Sequence, residues 1–325
     1  MRYPGAEPIV QLFIVSRDRR DFCREAVASA MAQRYHRCEV IVSDNSSGED
    51  VSKMLAEEFP QVTVIRRQPN LTALDHFNHL IEESQAPLMV MFHDDDVLEP
   101  DYAERMVEFF CQHPDVAAVG CNAHIIRGIQ RTQEISMGSF KGIQLLKNPC
   151  DLLDPYLTLS LTDPAPFPGY MYRTAFIKGL KLDSRQGGKH SDVSFLLGVL
   201  TRGPILWTAD CLFNYRIHDT NDSRKESIPD RLKWLRHIQK VTGMGRRSKA
   251  IIDYKFIYWR RWILQNSDLE GRESTSTTST RHRYAVVRHF VISQTLRMAF
   301  TRKDFWLRTW RSLMRPRVDS KEKRR

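Results

Sequence analysis

The run Leu88-Met-Val-Met-Phe-His-Asp-Asp-Asp-Val-Leu-Glu-Pro100 carries the strongest chemical signal in the chain. An apolar stretch ends directly in Asp94, Asp95 and Asp96, and three adjacent carboxylates on a tight turn repel one another unless a cation compensates. Mg2+ or Mn2+ would do so, because hard divalent ions bind through one or two carboxylates and complete their shell with substrate phosphates. A solvated acidic turn that caps the following helix is the plain alternative. The strand leading straight into the cluster favours the metal, since ligands of open α/β sheets bind at the C-terminal ends of strands. Asp44 ends a second such run, Glu39-Val-Ile-Val-Ser-Asp-Asn-Ser-Ser47, and falls on the same edge if the strands are parallel. Taken alone, that segment is an ordinary turn and helix cap.

Residues of this kind need a scaffold, and the first half of the chain supplies one. Apolar runs at Ile9–Val15, Glu39–Ser43, Val62–Arg66, Leu88–Phe92 and Ala117–Asn122 predict strands. Amphipathic stretches at Asp21–Gln33, Asp50–Phe59, Ala73–Glu83 and Asp101–Cys111 predict the helices between them, so the pattern is that of βαβ units around a mostly parallel sheet. From about Ile125 to Gly169 the alternation fades, and the Pro-rich Asp163–Gly169 segment reads as a loop over a site. A helix over Ser191–Leu200 and a short strand around Ile205–Thr208 follow.

In order, these segments resemble the GT-A glycosyltransferases of family 2. Ile14-Val-Ser-Arg-Asp-Arg19 stands where the family has its first strand turn, and Val42-Ser-Asp-Asn-Ser46 where it has V-D-D-G-S. Asn70–Asn78 parallels the N-x-G…A-x-N stretch, and His93–Pro100 the D-x-D-D-h-h-x-P signature. His190-Ser-Asp-Val-Ser-Phe195 resembles the E-D segment, and Tyr215–Ser223 the closing Y-R-x-H-x-x-N-x-S. The likeness spans about residues 8–224. It implies a GT-A, Rossmann-like α/β fold with helices flanking the sheet, and an inverting transfer from a nucleotide sugar to an acceptor hydroxyl.

The same resemblance implies roles. Ser16 and Asp44 would meet the nucleotide, Asp44 through the base, and Asp95 would bind the metal that bridges the diphosphate. His93 departs from the family's usual Asp, and its imidazole could donate to a ribose hydroxyl. Asp94 on the nucleotide side or Asp96 on the metal would supply the second carboxylate, a choice that stays open. His218 would ligand the metal or touch the diphosphate, Arg216 would offset phosphate charge, and Asp192 would take the acceptor proton. Without the resemblance, Ser191 and Asp192 read as an ordinary helix N-terminus.

Charge divides the chain. From Glu226 onward lie 25 of the 49 Lys and Arg but 9 of the 39 Asp and Glu, a net +16 that leaves −6 for the first 225 residues. We therefore expect a catalytic domain over 1–225 and a basic helical extension over 226–325. Trp306, Trp310, Leu313 and Met314, with Arg308, Arg311 and Arg315 beside them, suit either a helix lying on anionic lipid or one packed on the catalytic domain. The six cysteines lack CxxC spacing, which argues against a zinc site or a disulfide framework. No run reaches the roughly 18 apolar residues of a membrane span.

The expected setting is the cytoplasm, with peripheral contact at the inner membrane face. The expected substrates are a nucleotide-sugar donor, a UDP-sugar first, and a carbohydrate or lipid-linked acceptor, as in surface polysaccharide or glycolipid synthesis. No nucleic acid is expected. The first turn, Ser16-Arg-Asp-Arg-Arg20, has no glycine and so no glycine-rich phosphate loop, which argues against a nucleotidyltransferase or a dehydrogenase. A non-catalytic protein on the same scaffold, acting through its basic tail, is the other reading.

Overall fold

Fully buried apolar side chains dominate the two runs at the centre of the sheet, which fold as β1 (Val10–Ser16) and β4 (Leu88–His93). Near-continuous apolar strands of this kind are what a sheet covered on both faces requires. The computed structural model describes residues 7–128, 130–157, 163–218, 228–245, 251–256 and 291. The further strands are β2 (Cys38–Asp44), β3 (Thr63–Arg66), β5 (Val97–Leu98), β6 (Ala118–Arg127), β7 (Gln130–Ile135), β8 (Ile143–Leu146), β9 (Tyr170–Arg173) and β10 (Ile205–Ile217). Helices α1 (Arg20–Met31), α2 (Asp50–Glu58), α3 (Ala73–Glu83) and α4 (Tyr102–Gln112) alternate with the early strands. Later come α5 (Pro149–Leu157), the single turns α6 (Thr174–Ile177) and α7 (Ser184–Gly187), α8 (Ser191–Leu200) and α9 (Ile228–Thr242).

The sheet runs β3-β2-β1-β4-β9-β6-β10-β5, with β7 paired to β6 and β8 to β10. The first four strands are parallel, as the βαβ pattern predicts. Antiparallel β9 then enters between β4 and β6. The register sets Ser16 opposite Asp44 and Val15 opposite His93, so the ends of β1, β2 and β4 share one edge. In α1 the buried residues Cys23, Ala26, Val27 and Ala30 recur at helical spacing and face the core.

Two expectations need correction. Regular structure does not fade at Ile125: β6 runs on to Arg127, β7 returns beside it, and β8 and α5 follow. The strand expected at Ile205–Thr208 is 13 residues long and reaches Ile217. Its length matters, because its far end pairs antiparallel with β5, just past the acidic turn, with Leu98 opposite Phe213 and Val97 opposite Asn214.

The chain divides into two units, residues 1–152 with 162–243, and residues 153–161 with 244–325. The first holds the sheet and α9, which packs against α7 and α8. In the second, Ile251, Asp253, Tyr254 and Phe256 are buried. Most of the basic tail, including Trp306–Arg315, lies outside the described residues, as do Asn221 and Ser223 of the closing motif. Among the described residues no helix is long and apolar enough to cross a membrane.

Candidate active site

The acidic turn follows β4 at the shared strand edge, and two other segments converge on it. One is the turn after β1, where the Arg17 amide donates to Asp94 Oδ2 at 3.2 Å and Arg19 Nη1 to Asp95 Oδ2 at 2.5 Å. The other is the end of β10, delivered by its pairing with β5. There the Arg216 amide donates to Asp96 Oδ1 at 2.8 Å, and His218 Nε2 lies 2.9 Å from Asp95 Oδ2.

Arg216 itself is 3% exposed. Its guanidinium donates to the Asp95 carbonyl, the Gly128 carbonyl and Glu25, and it stacks over the Phe22 ring. It thus clamps the backbone of the turn from behind, a contribution distinct from the phosphate contact expected of it.

Burial without full pairing gives this turn its electrostatics. Asp94 and Asp96 are almost wholly buried, and among the described residues Asp94 Oδ1, Asp96 Oδ2 and His93 Nε2 have no hydrogen-bond partner, although Arg19 Nε stands 3.3 Å from Asp94 Oδ1. Desolvation pushes the Asp94 carboxyl up to about 7, and desolvation with the neighbouring Asp95 charge pushes Asp96 well above the usual range. Burial also opposes ionisation of Asp95, but the charges of His93 and Arg19 and the hydrogen bonds from His218 and Arg19 outweigh it and hold the carboxyl low. Buried polar atoms without partners are rare in native proteins and call for an explanation.

A divalent cation supplies one. His93, Asp95 and Asp96 each offer a ligand atom, and these atoms lie within 4.8 Å of one another. Two carboxylates and an imidazole form a donor set that suits Mn2+ and, through the oxygens, Mg2+. The residues present therefore fit a metal, and His93 joins the set from the position read above as a ribose donor.

Asp44 has a different surrounding. It is fully buried, accepts from the Ser46 amide at 2.9 Å, and is held by Arg66 Nη1 at 2.5 Å. The Arg66 side chain is 22% exposed, whereas that of Asp44 is 0% exposed. Ser16 is likewise buried, its carbonyl accepting from the Asn45 amide. Asp192 sits in the first turn of α8. Burial first, then the charges of Asp96, Asp95 and Asp192, push the Tyr215 phenol up to about 12.

Sequence reasoning missed Arg19, Arg66 and an aromatic wall beside His93. Phe77 and Phe167 lie 5.5 and 6.3 Å from the His93 ring, centroid to centroid, and Phe167 continues to Tyr170 and Phe195. Phe167 belongs to the Pro-rich segment read above as a loop, where nothing in the local pattern marks it.

A sequence profile of glycosyl transferase family 2 matches residues 12–179. No curated protein matches the chain in sequence. Among solved structures, TarS of S. aureus in complex with UDP-GlcNAc is similar at 14% identity and a TM-score of 0.60, over 82% of this chain and 76% of that one. TarS in complex with UDP is similar at 13% identity and a TM-score of 0.52, over 96% and 94%. The mannosyltransferase PcManGT of Pyrobaculum calidifontis, in complex with GDP-Man and Mn2+, is similar at 13% identity and a TM-score of 0.50, over 96% and 85%. These likenesses bear on the fold, whereas the profile covers more than half of the sequence and takes in β1 to β9 with the acidic turn. The chain belongs to glycosyl transferase family 2 and is a glycosyltransferase.

Proposed function

We propose that the protein is a metal-dependent, inverting enzyme that moves a sugar from a nucleoside-diphosphate sugar to an acceptor hydroxyl. The observation that carries this reading is the cluster of His93, Asp95 and Asp96, with unpartnered buried atoms on His93 and Asp96, at a strand edge of a family 2 fold. His93, Asp95 and Asp96 would hold Mn2+ or Mg2+, with His218 beside Asp95. When bound, the ion would neutralise charge building on the departing nucleoside diphosphate. Similar folds bind UDP, UDP-GlcNAc or GDP-Man, which supports a donor of this class.

The residues of the chain divide the remaining work. Arg216 fixes the turn so that the carboxylates keep their spacing. Asp192, in the first turn of α8, removes the acceptor proton as its oxygen attacks the anomeric carbon opposite the leaving group, which inverts the configuration. Asp44, closed in by Arg66, would meet the base only where Arg66 yields. The basic extension from 226 would hold the enzyme at an anionic membrane surface, close to a lipid-linked or surface-polysaccharide acceptor.

Asp192→Asn tests the assignment. Transfer should fall about 100-fold or more, the scale of general-base loss, while Mn2+-dependent binding of UDP or GDP, followed by thermal shift, stays at the wild-type level. Near-normal turnover would remove Asp192 from the reaction. Wild-type protein that gains no stability from any nucleoside diphosphate with Mn2+ would remove the donor site.

A further inference from the structure

One oxygen of the acidic turn is held twice. Asp95 Oδ2 accepts from Arg19 Nη1 at 2.5 Å and lies 2.9 Å from His218 Nε2, while Arg19 Nε is 3.3 Å from Asp94 Oδ1. The guanidinium therefore spans two of the three adjacent acids. Its side chain is 39% exposed, against 0% for Asp94 and 11% for Asp95. It approaches from the solvent side, on a turn residue that precedes α1.

We infer that Arg19 is an exchangeable counter-ion: it neutralises Asp94 and Asp95 until a divalent cation takes Asp95, and is then released towards the diphosphate that arrives with the metal. The inference rests on the function proposed above. Its physical basis is competition for one carboxylate. A divalent ion bound through Asp95 would lie within a few ångströms of the Arg19 charge, where like charges repel strongly. Without the ion, the same guanidinium offsets the repulsion among the carboxylates. Once displaced, an exposed arginine on a short tether has a natural second partner in a phosphate, which its planar fork matches.

A role of this kind gives one substitution two effects of opposite sign. In Arg19→Gln, Mn2+ alone should bind more tightly, by about fivefold after allowance for solvent screening of an exposed pair. UDP at saturating Mn2+ should bind about tenfold more weakly, through loss of a charge-assisted phosphate contact. Arg19→Lys, which keeps the charge and loses the fork, should return Mn2+ affinity towards wild type. The full chain is used throughout, with Mn2+ binding read by electron paramagnetic resonance, UDP and GDP binding by calorimetry, and folding by circular dichroism.

A purely structural Arg19 would weaken both ligands in Arg19→Gln. A purely phosphate-binding Arg19 would leave Mn2+ affinity unchanged. Either result overturns the exchange, as does wild-type protein that binds no Mn2+. If wild-type protein binds Mn2+ but neither UDP nor GDP, the donor reading fails, whereas the sign of the Mn2+ effect still decides whether Arg19 competes with the ion.

Discussion

At the end of β2, Asp44 is fully buried and both of its oxygens are engaged, one by the Ser46 amide and one by Arg66. The neighbouring Ser43 hydroxyl accepts from Arg67 Nε at 2.8 Å and meets His76 Nε2 at 2.7 Å, and Arg67 grips Glu83 through two bonds of 2.6 Å. Two strands away, the end of β4 carries three acids whose charge is only partly offset, with buried oxygens of Asp94 and Asp96 left without hydrogen bonds. Both sites lie on one edge of one sheet, so burial alone does not account for the difference. The β2 end is a closed network that stabilises the fold. The β4 end keeps buried polar atoms that have no hydrogen-bond partner among the described residues, an arrangement that the proposed cation would complete.

The largest effect expected to sharpen this contrast comes from His76. It is 2% exposed, and burial first, then the charge of Arg67, lower its pKa to about 4. The Ser43 hydroxyl accepts from Arg67 Nε and lies 2.7 Å from His76 Nε2, so a proton on the imidazole would stand close to the Arg67 charge. The unfolded chain takes up this proton near pH 6.5, whereas the folded state resists it until about 4. Stability from this group is therefore complete above about pH 6.5 and lost as the pH falls towards 4, by on the order of 3 kcal/mol. Denaturant unfolding at pH 7 and pH 4.5 should show the loss in wild type and a flatter profile in His76→Gln. Equal slopes would mean that the network tolerates a protonated His76.

Next in size is Asp44→Asn. The amide can still accept from Ser46, but it turns an N–H towards Arg66 and leaves that guanidinium without its anion. Breaking buried pairs costs several kcal/mol, and the partial exposure of Arg66 reduces this to about 2 kcal/mol. Urea unfolding at pH 7 measures it. A change near zero would show the β2 end to be as loosely satisfied as the β4 turn.

How much of this was legible in the sequence follows from where the information is local. Helix α3 was readable to its ends because Thr72 caps it, accepting from the Asp75 amide, and because its apolar residues keep helical spacing. The β4 strand and its acids were readable for the same reason, as five apolar residues and a histidine running into three carboxylates. Strand β7 was not, since Gln130-Arg-Thr-Gln-Glu-Ile135 is exposed almost throughout and has no apolar face to declare a period. Arg19 and Arg66 escaped for a further reason. Each sits in a charged cluster that reads as a solvated surface, and only the parallel register of β1, β2, β3 and β4 brings them onto the acids. Sites made by strand ends meeting across a sheet are spelled in pieces, and the pieces are weak when read singly.

The smallest expected effect has the opposite sign and so tests the comparison most directly. Asp96 is 1% exposed, its Oδ1 accepts from the Arg216 amide, and its Oδ2 has no partner while Asp94 and Asp95 stand on the same turn. Desolvation and the Asp95 charge hold its folded-state pKa well above the unfolded value near 4, so at neutral pH folding must either bury a poorly compensated charge or take up a proton. Asp96→Asn keeps the acceptor for Arg216 and removes that cost, which should stabilise the metal-free protein by about 1 kcal/mol at pH 7. The gain should vanish as the pH falls to about 4, where the unfolded carboxyl is protonated too. Added Mn2+ should reverse the order, because wild type keeps a ligand that the variant has lost and gains more stability by mass action. Thermal unfolding of both proteins with EDTA and with Mn2+, at pH 7 and pH 4, gives the four comparisons needed. Destabilisation by Asp96→Asn in EDTA at pH 7 would place the β4 turn in the same class as the Asp44 carboxylate, whose two oxygens are both engaged, and would remove the argument that this turn is built to receive a cation.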